Sequence, residues 1–275
     1  VQNGEPSRTA LGAARYRADH QTLDGASIFR DPLAAVIVTS GNEPDGRVDE
    51  VAGRGIRLFI AARSRYTEDA LADAYRAGVR QVLVLGAGLD TFAYRNPHPG
   101  LRVFEVDHPD TQAWKRKRLA DSGIDIPDSV TYLGVDFERD TLEHVLAASD
   151  FDTAQPAFVI WLGVTVYLTR PAIAATLDTI GGLAPGTELV LDYGVPYTPV
   201  TPEQIAAAEA RERRLAAIGE RWITFFTADE IAAELREAGL TVVEDLGPSE
   251  ALARYLDTAW NPDRPGPHLV RAGIR

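Results

Sequence analysis

The stretch Val82-Leu83-Val84-Leu85-Gly86-Ala87-Gly88-Leu89-Asp90-Thr91 decides the fold. Four consecutive apolar residues without alternation predict a strand buried on both faces, which belongs in the middle of a parallel sheet rather than at a surface. The glycines that end it let the chain turn tightly and bring backbone groups close to a ligand. They do so at the carboxyl end of a strand, where open α/β sheets bind. Gly86, Ala87 and Gly88 are therefore candidates for a cofactor site. A tight turn without a ligand is the alternative reading of a glycine pair taken alone.

Further along, Leu101 to Val106 reads as a second apolar strand, and Asp107 follows it. An acid about twenty residues beyond a glycine turn is placed to accept hydrogen bonds from ribose hydroxyls. Glu105 is the lesser candidate for that role and is expected to point differently. The third glycine of a dinucleotide fingerprint would fall at Thr91, so the close packing used around a pyrophosphate is not specified. The pattern favours a ligand with adenosine and no phosphate.

Composition sets outer limits. The 275 residues carry a formal charge of −12, which argues against a general affinity for nucleic acid or anionic membranes. No apolar run reaches the length of a membrane span, and the amino end shows no basic-then-apolar signal pattern; a soluble, cytoplasmic protein is expected. The absence of cysteine removes disulfides, thiolate catalysis and Cys-ligated metals. The five histidines (20, 98, 108, 144 and 268) show no ligand spacing, so no metal is expected. Only two of the 28 basic residues are lysines, a bias typical of GC-rich bacterial genomes. Both lie in Lys115-Arg116-Lys117-Arg118, which on a helix spreads around the axis and reads as a solvated face.

In chain order, a helix is expected over 10–23, followed by a short one with Asp31 as N-cap and Pro32 at its first position. Gly41 to Gly46 reads as a loop. Helices over Asp49 to Arg65 and Thr67 to Ala77 follow, the second stopped by Gly78. Strands are expected at 81–86, 101–106, 130–135, 156–162, 186–192, 240–245 and 267–274, with helices between the first five and around 227–238. A short helix at Glu250 to Leu256 and a turn-rich Asn261 to Pro267 should let the seventh strand insert antiparallel beside the sixth. The organisation is a single domain over 1–275: an N-terminal helical cover (1–80), a cofactor-binding half (81–192), a cap insertion after strand five (193–226) with a helix near 203–219, and the C-terminal part of the sheet (227–275).

At this point a resemblance can be stated. Arg63, Val-Leu-Gly-Ala-Gly-Leu-Asp-Thr at 84–91, Phe-Glu-Val-Asp-His-Pro at 104–109, Val-Asp-Phe at 135–137 and Gly-Val-Thr-Val-Tyr-Leu at 163–168 together resemble the leucine carboxyl methyltransferase family over residues 15 to 195. The resemblance implies a class I, Rossmann-like α/β fold with a seven-stranded, mostly parallel sheet, using S-adenosylmethionine to methylate an oxygen.

It also implies roles. Arg63 would meet the methionine carboxylate, its planar fork suiting that group; a surface salt bridge is the alternative. Carbonyls around Gly86 would take the ammonium and Asp107 the ribose. Asp136 would take the adenine amine with Phe137 beside it, unless Asp136 merely caps the next helix. Where the family often has a glutamate, this chain has Leu162. The acceptor is read as a small-molecule carboxyl group, which is ionised at neutral pH and needs no base. A hydroxyl acceptor of secondary metabolism would need one, with Tyr167 and His20 the catalytic candidates. A nicotinamide-dependent oxidoreductase and a non-catalytic cofactor-binding module remain alternatives. Oligomeric state is not legible.

Overall fold

The computed structural model describes residues 8–38, 50–136, 140–217, 221–257 and 266–275. The expected loop Gly41–Gly46 and most of the Asn261–Pro267 turn lie outside these residues. Three helices come first, α1 (Arg8–Leu23), α2 (Ala34–Val38) and α3 (Glu50–Arg76). The chain then alternates through β1 (Gln81–Leu85), β2 (Arg102–Asp107), α4 (Pro109–Asp121), β3 (Val130–Gly134), α5 (Leu142–Ala147), β4 (Phe158–Trp161), α6 (Arg170–Gly181) and β5 (Glu188–Tyr193). It closes with α7 (Pro202–Ala217), α8 (Ala228–Glu237), β6 (Thr241–Leu246), α9 (Pro248–Ala253) and β7 (His268–Gly273).

The seven strands form one sheet in the order β3-β2-β1-β4-β5-β7-β6. The first five are parallel, and β7 runs antiparallel between β5 and β6. This is the Rossmann-like sheet with a reversed seventh strand expected of a class I methyltransferase. β1 is central, and its apolar run is buried because both faces are covered. Leu83 and Leu85 point to a core shared with Ile173 and Leu177 of α6 and Ile231 of α8. Val82 and Val84 point to a second core with Phe59, Leu71 and Ala74 of α3. Because strand order reverses between β1 and β4, a crevice opens at their carboxyl ends, where ligands bind in such sheets.

Local chemistry explains most boundaries. Asp31 Oδ1 accepts from the N–H of Leu33 and Ala34 (3.2 and 3.1 Å), the expected cap of α2. His108 Nδ1 accepts from Asp110 N at the start of α4, with Pro109 in its first turn. Thr227 and Glu230 form a capping box on α8. Two expectations are corrected. α3 is a single helix, because the hydroxyls of Ser64 and Thr67 donate to the carbonyls of Ile60 and Arg63 (2.9 and 2.8 Å) and so stay within the helical ladder. The β1–β2 connection carries only a 3-10 turn, Phe92–Tyr94, rather than a crossover helix. Among the described residues no helix is long and apolar enough to cross a membrane.

The basic run on α4 is not a uniformly solvated face. Arg116 and Lys117 are exposed, but Arg118 donates to the carbonyls of Val36 and Ile37 and ties α2 to α4. Lys115 is 1 % exposed, with Nζ 2.9 and 2.8 Å from the two carboxylate oxygens of Glu105, itself 1 % exposed. Glu105 and Asp107, two residues apart, share a face of β2; they differ in depth, Glu105 inside and Asp107 at the strand end. Burial pushes the Glu105 carboxyl up and Lys115 draws it back only in part. Lys115→Ala should therefore cost about 3–5 kcal/mol at pH 7, because it leaves a buried charge without its partner. The loss should shrink toward acid pH, where the further-raised Glu105 takes a proton in the folded state before it does in the unfolded chain. Urea unfolding at pH 7 and pH 5 checks this, and equal losses at both would contradict it. Replacing both partners with apolar residues of similar volume should recover most of the stability.

Candidate functional site

The site is built at the carboxyl ends of β1, β2, β4 and β5. Gly86 and Gly88 leave β1 with φ of +61° and +48°, left-handed conformations that favour glycine. A side chain at Gly86 would run into Val164 in the turn after β4, so the backbone fits there only bare. Asp107 ends β2 and ties the glycine turn to it: one carboxylate oxygen accepts from Gly88 N and the other from His108 N at 2.6 Å. Burial pushes the Asp107 carboxyl up from its ordinary value, and these two N–H groups pull it partly back. Ala87 N donates to Val106 O (3.1 Å), which closes the turn against β2.

Asp136 lies just past β3, where its N–H donates to Asp140 Oδ2 (2.9 Å) and its carbonyl accepts from Asp140 N (2.7 Å). α5 is capped by Thr141, so Asp136 is not the cap of that helix. Phe137 lies outside the described residues.

Arg63 reaches from α3 to the ends of β4 and β5, where Nη1 donates to Asp192 Oδ2. The two side chains are 12 % and 6 % exposed, which removes the surface salt-bridge alternative. Asp192 Oδ1 also accepts from Gly163 N at 2.5 Å. Leu162, where the family often has a glutamate, packs against the α3-side core. The register that pairs Trp161 with Leu191 carries on to bring Leu162 alongside Asp192. Sequence reading passed over Asp192, yet a signal was present: it closes the apolar run Leu189–Leu191 as Asp107 closes β2.

Tyr167 sits on a 3-10 turn after β4, and its hydroxyl accepts from Trp222 Nε1 at 3.0 Å. Beside it, Ile223 N donates to Val166 O (2.8 Å) and Thr224 Oγ1 to Leu168 O (2.5 Å). The segment that precedes α8 is thus laced onto the turn that carries Tyr167. His20 is placed differently. It is fully buried, its Nε2 accepts from the N–H of Ile28 and Phe29 (3.2 and 3.3 Å), and its Nδ1 lies 3.0 Å from Asp24 Oδ2. That pattern assigns the proton to Nδ1 and leaves neither nitrogen for an acceptor, so His20 is withdrawn as a base.

Two arginines, Arg17 of α1 and the partly buried Arg95 after the 3-10 turn, tie the N-terminal helices to the glycine turn. Arg17 donates to Leu89 O (2.6 Å) and to Asp31 (3.0 Å). Arg95 bonds Thr91 Oγ1 (2.8 Å) and grips both carboxylate oxygens of Glu68. Thr91, in the place of a third glycine, is thereby an anchor for the loop. None of these contacts was legible in the sequence, since every arginine looks alike there.

Comparison with known proteins bears on family and fold. The sequence profile of the leucine carboxyl methyltransferase family matches residues 10–181. YktD of Bacillus subtilis, described as an S-adenosyl-L-methionine-dependent methyltransferase, is 29% identical over 278 residues, 91% of each chain. A Mycobacterium avium protein of the same description is 41% identical over 206 residues, 70% of this chain and 68% of that one. Among solved structures, a DUF574 family protein from Streptomyces avermitilis superposes with a TM-score of 0.62 at 16% identity, covering 99% of both chains. Magnesium protoporphyrin IX methyltransferase from Synechocystis, solved with bound SAH, gives 0.52 at 12% identity, covering 94% of this chain and 98% of that one. At these identities the structural likeness is one of fold. The profile match covers more than half of the sequence, and the chain belongs to the leucine carboxyl methyltransferase family.

Proposed function

We propose that this chain is an S-adenosylmethionine-dependent O-methyltransferase whose acceptor is a carboxyl group of a small molecule. The observation that carries the cofactor reading is Asp107, a half-buried carboxylate fixed at the end of β2 by the N–H groups of Gly88 and His108. Its remaining lone pairs suit ribose hydroxyls. Arg63 Nε is buried without a hydrogen-bond partner among the described residues, a donor suited to an anionic group such as the cofactor's carboxylate. Asp136 is placed to accept from the adenine amine. When bound, the cofactor supplies an electrophilic methyl group on a sulfonium.

The chain's own residues then have to hold an acceptor oxygen in line and keep water out, which is catalysis by proximity and desolvation. A carboxylate acceptor asks nothing more, since its reference pKa lies near 4. The family to which the chain belongs and the engagement of both His20 nitrogens support this reading. One observation keeps a hydroxyl acceptor as the second reading. The indole N–H of Trp222 donates to the Tyr167 oxygen at 3.0 Å and holds it in one place, as a base at that position would require.

Two outcomes are expected. In calorimetry the protein should bind S-adenosylhomocysteine and not NAD, and Asp107→Ala should weaken that binding by about 1.5–3 kcal/mol through lost charge-assisted hydrogen bonds. Because burial raises the Asp107 carboxyl, wild-type affinity should begin to fall on acidification above the pH at which an ordinary aspartate titrates. Tighter NAD binding, or no loss in the variant, would reject the cofactor site.

With labelled cofactor, carboxylic acids should be methylated faster than matched phenols. Tyr167→Phe should then lower the rate by less than about tenfold, against roughly 10²–10⁴-fold for loss of a required general base. Faster phenol turnover together with a collapse in Tyr167→Phe would replace the carboxyl reading with the hydroxyl one.

A further inference from the structure

β5 presents Leu189, Val190 and Leu191 to the two cores, all fully buried, and then places an acid, Asp192, that is itself 4 % exposed. A carboxylate so deeply placed costs stability unless each of its oxygens is engaged. Here three hydrogen bonds from two separate parts of the chain, α3 and the turn after β4, engage the residue. Oδ2 accepts from Arg63 Nη1 of α3, Oδ1 from Gly163 N in the turn after β4, and the main-chain oxygen from Thr165 Oγ1 on the turn that carries Tyr167. Gly163 has φ +74°, and the space its Cβ would fill is 3.2 Å from Arg63 Nη2, so the guanidinium lies against bare backbone. Arg63 is thus held on two sides while Nε stays without a partner among the described residues.

From this geometry we propose that Asp192 is the positioning residue of Arg63, fixing its guanidinium at the carboxyl ends of β4 and β5 for the carboxylate at the amino-acid end of the cofactor. An arginine side chain free to rotate would lose much of its rotamer entropy on capturing an anion. One already clamped through a single Nη loses much less, and its other N–H groups remain available. The clamp also joins cofactor to acceptor, because Thr165 and Gly163 belong to the segment that leads to Tyr167. The proposal rests on the cofactor reading above and on Arg63 meeting that carboxylate.

The test compares two ligands that share the nucleoside and differ in the amino-acid end: S-adenosylhomocysteine and 5′-deoxy-5′-methylthioadenosine. Calorimetry on Asp192→Asn should show S-adenosylhomocysteine bound about tenfold or more weaker, with methylthioadenosine changed by less than about twofold. Asp192→Glu, which keeps the charge one methylene further out, should recover part of the loss. The Arg63→Ala/Asp192→Asn pair should bind no worse than Arg63→Ala alone, since one residue acts through the other. If Asp192→Asn does not fold, Asp192→Glu carries the same comparison. Equal weakening of both ligands would show a strut that only holds α3 to the sheet, and unchanged binding of both would show no role; either result overturns the proposal. Failure of the wild type to bind S-adenosylhomocysteine would instead reject the cofactor reading, and the proposal with it.

Discussion

The carboxylate of Asp107 accepts hydrogen bonds from Gly88 N and His108 N, and much of the site depends on that short bridge between the ends of β1 and β2. A parallel strand buried on both faces can offer chemistry only where it stops, so the shape of its last turn decides what can bind. Gly86 and Gly88 make the turn possible; Asp107 selects one conformation of it. The same bridge fixes the start of α4, since His108 is both its donor and the cap of that helix. Burial raises the carboxyl, and the two N–H groups offset part of that cost.

Around this bridge the chain uses arginine as internal scaffolding despite its net negative charge. Asp31 meets Arg17, Glu68 meets Arg95, Asp24 meets Arg57 and Asp192 meets Arg63, each pair at least partly shielded from solvent. Buried pairs contribute little net stability, but each is costly to break and tolerates few geometries. Arginine suits the task because its fork can bond a side chain and a carbonyl together, as Arg17 does with Asp31 and Leu89 O. These bonds hold α1 over the glycine turn, where Ala10 lies 3.2 Å from the place a Gly88 side chain would take.

Much of the sheet was legible because strand signals are local: unalternated apolar runs, closing glycines, and the acid after β2. The site was legible in part for the same reason, with Gly86, Gly88 and Asp107 reading directly from their spacing. What escaped depends on partners distant in sequence. The chain reads as broken between Arg65 and Thr67 until the hydroxyls of Ser64 and Thr67 are seen to bond the preceding turn. Lys115 looks like one charge in a solvated run until Glu105, ten residues earlier on a strand, is found opposite it. His20 has the side chain of a base, but its tautomer and its two engaged nitrogens follow from a turn eight residues away. Asp192 needed β4 and β5 to be paired before its neighbours Gly163 and Arg63 were known.

The segment between β5 and α8 obeys a different constraint from the sheet edge. It leaves β5 and returns to α8, and its base is closed by Phe226 N donating to Gly194 O at 2.9 Å. Phe225 and Val166 pack so closely on Gly194 that a side chain there would meet both at about van der Waals limits or nearer. Its returning end is further fixed by Ile223 and Thr224 on the turn after β4. Between these anchors Tyr197, Val200 and Ile205 are exposed apolar side chains. A loop closed firmly at its base can change length and surface at little cost, because closure entropy grows only slowly with length. The strand-end geometry thus answers to the packing of the sheet, whereas the segment between β5 and α8 is held by bonds at its two ends. On the proposed reading, acceptor choice resides in that segment, and for that reason the strand-end motifs read so much more clearly for cofactor than for substrate.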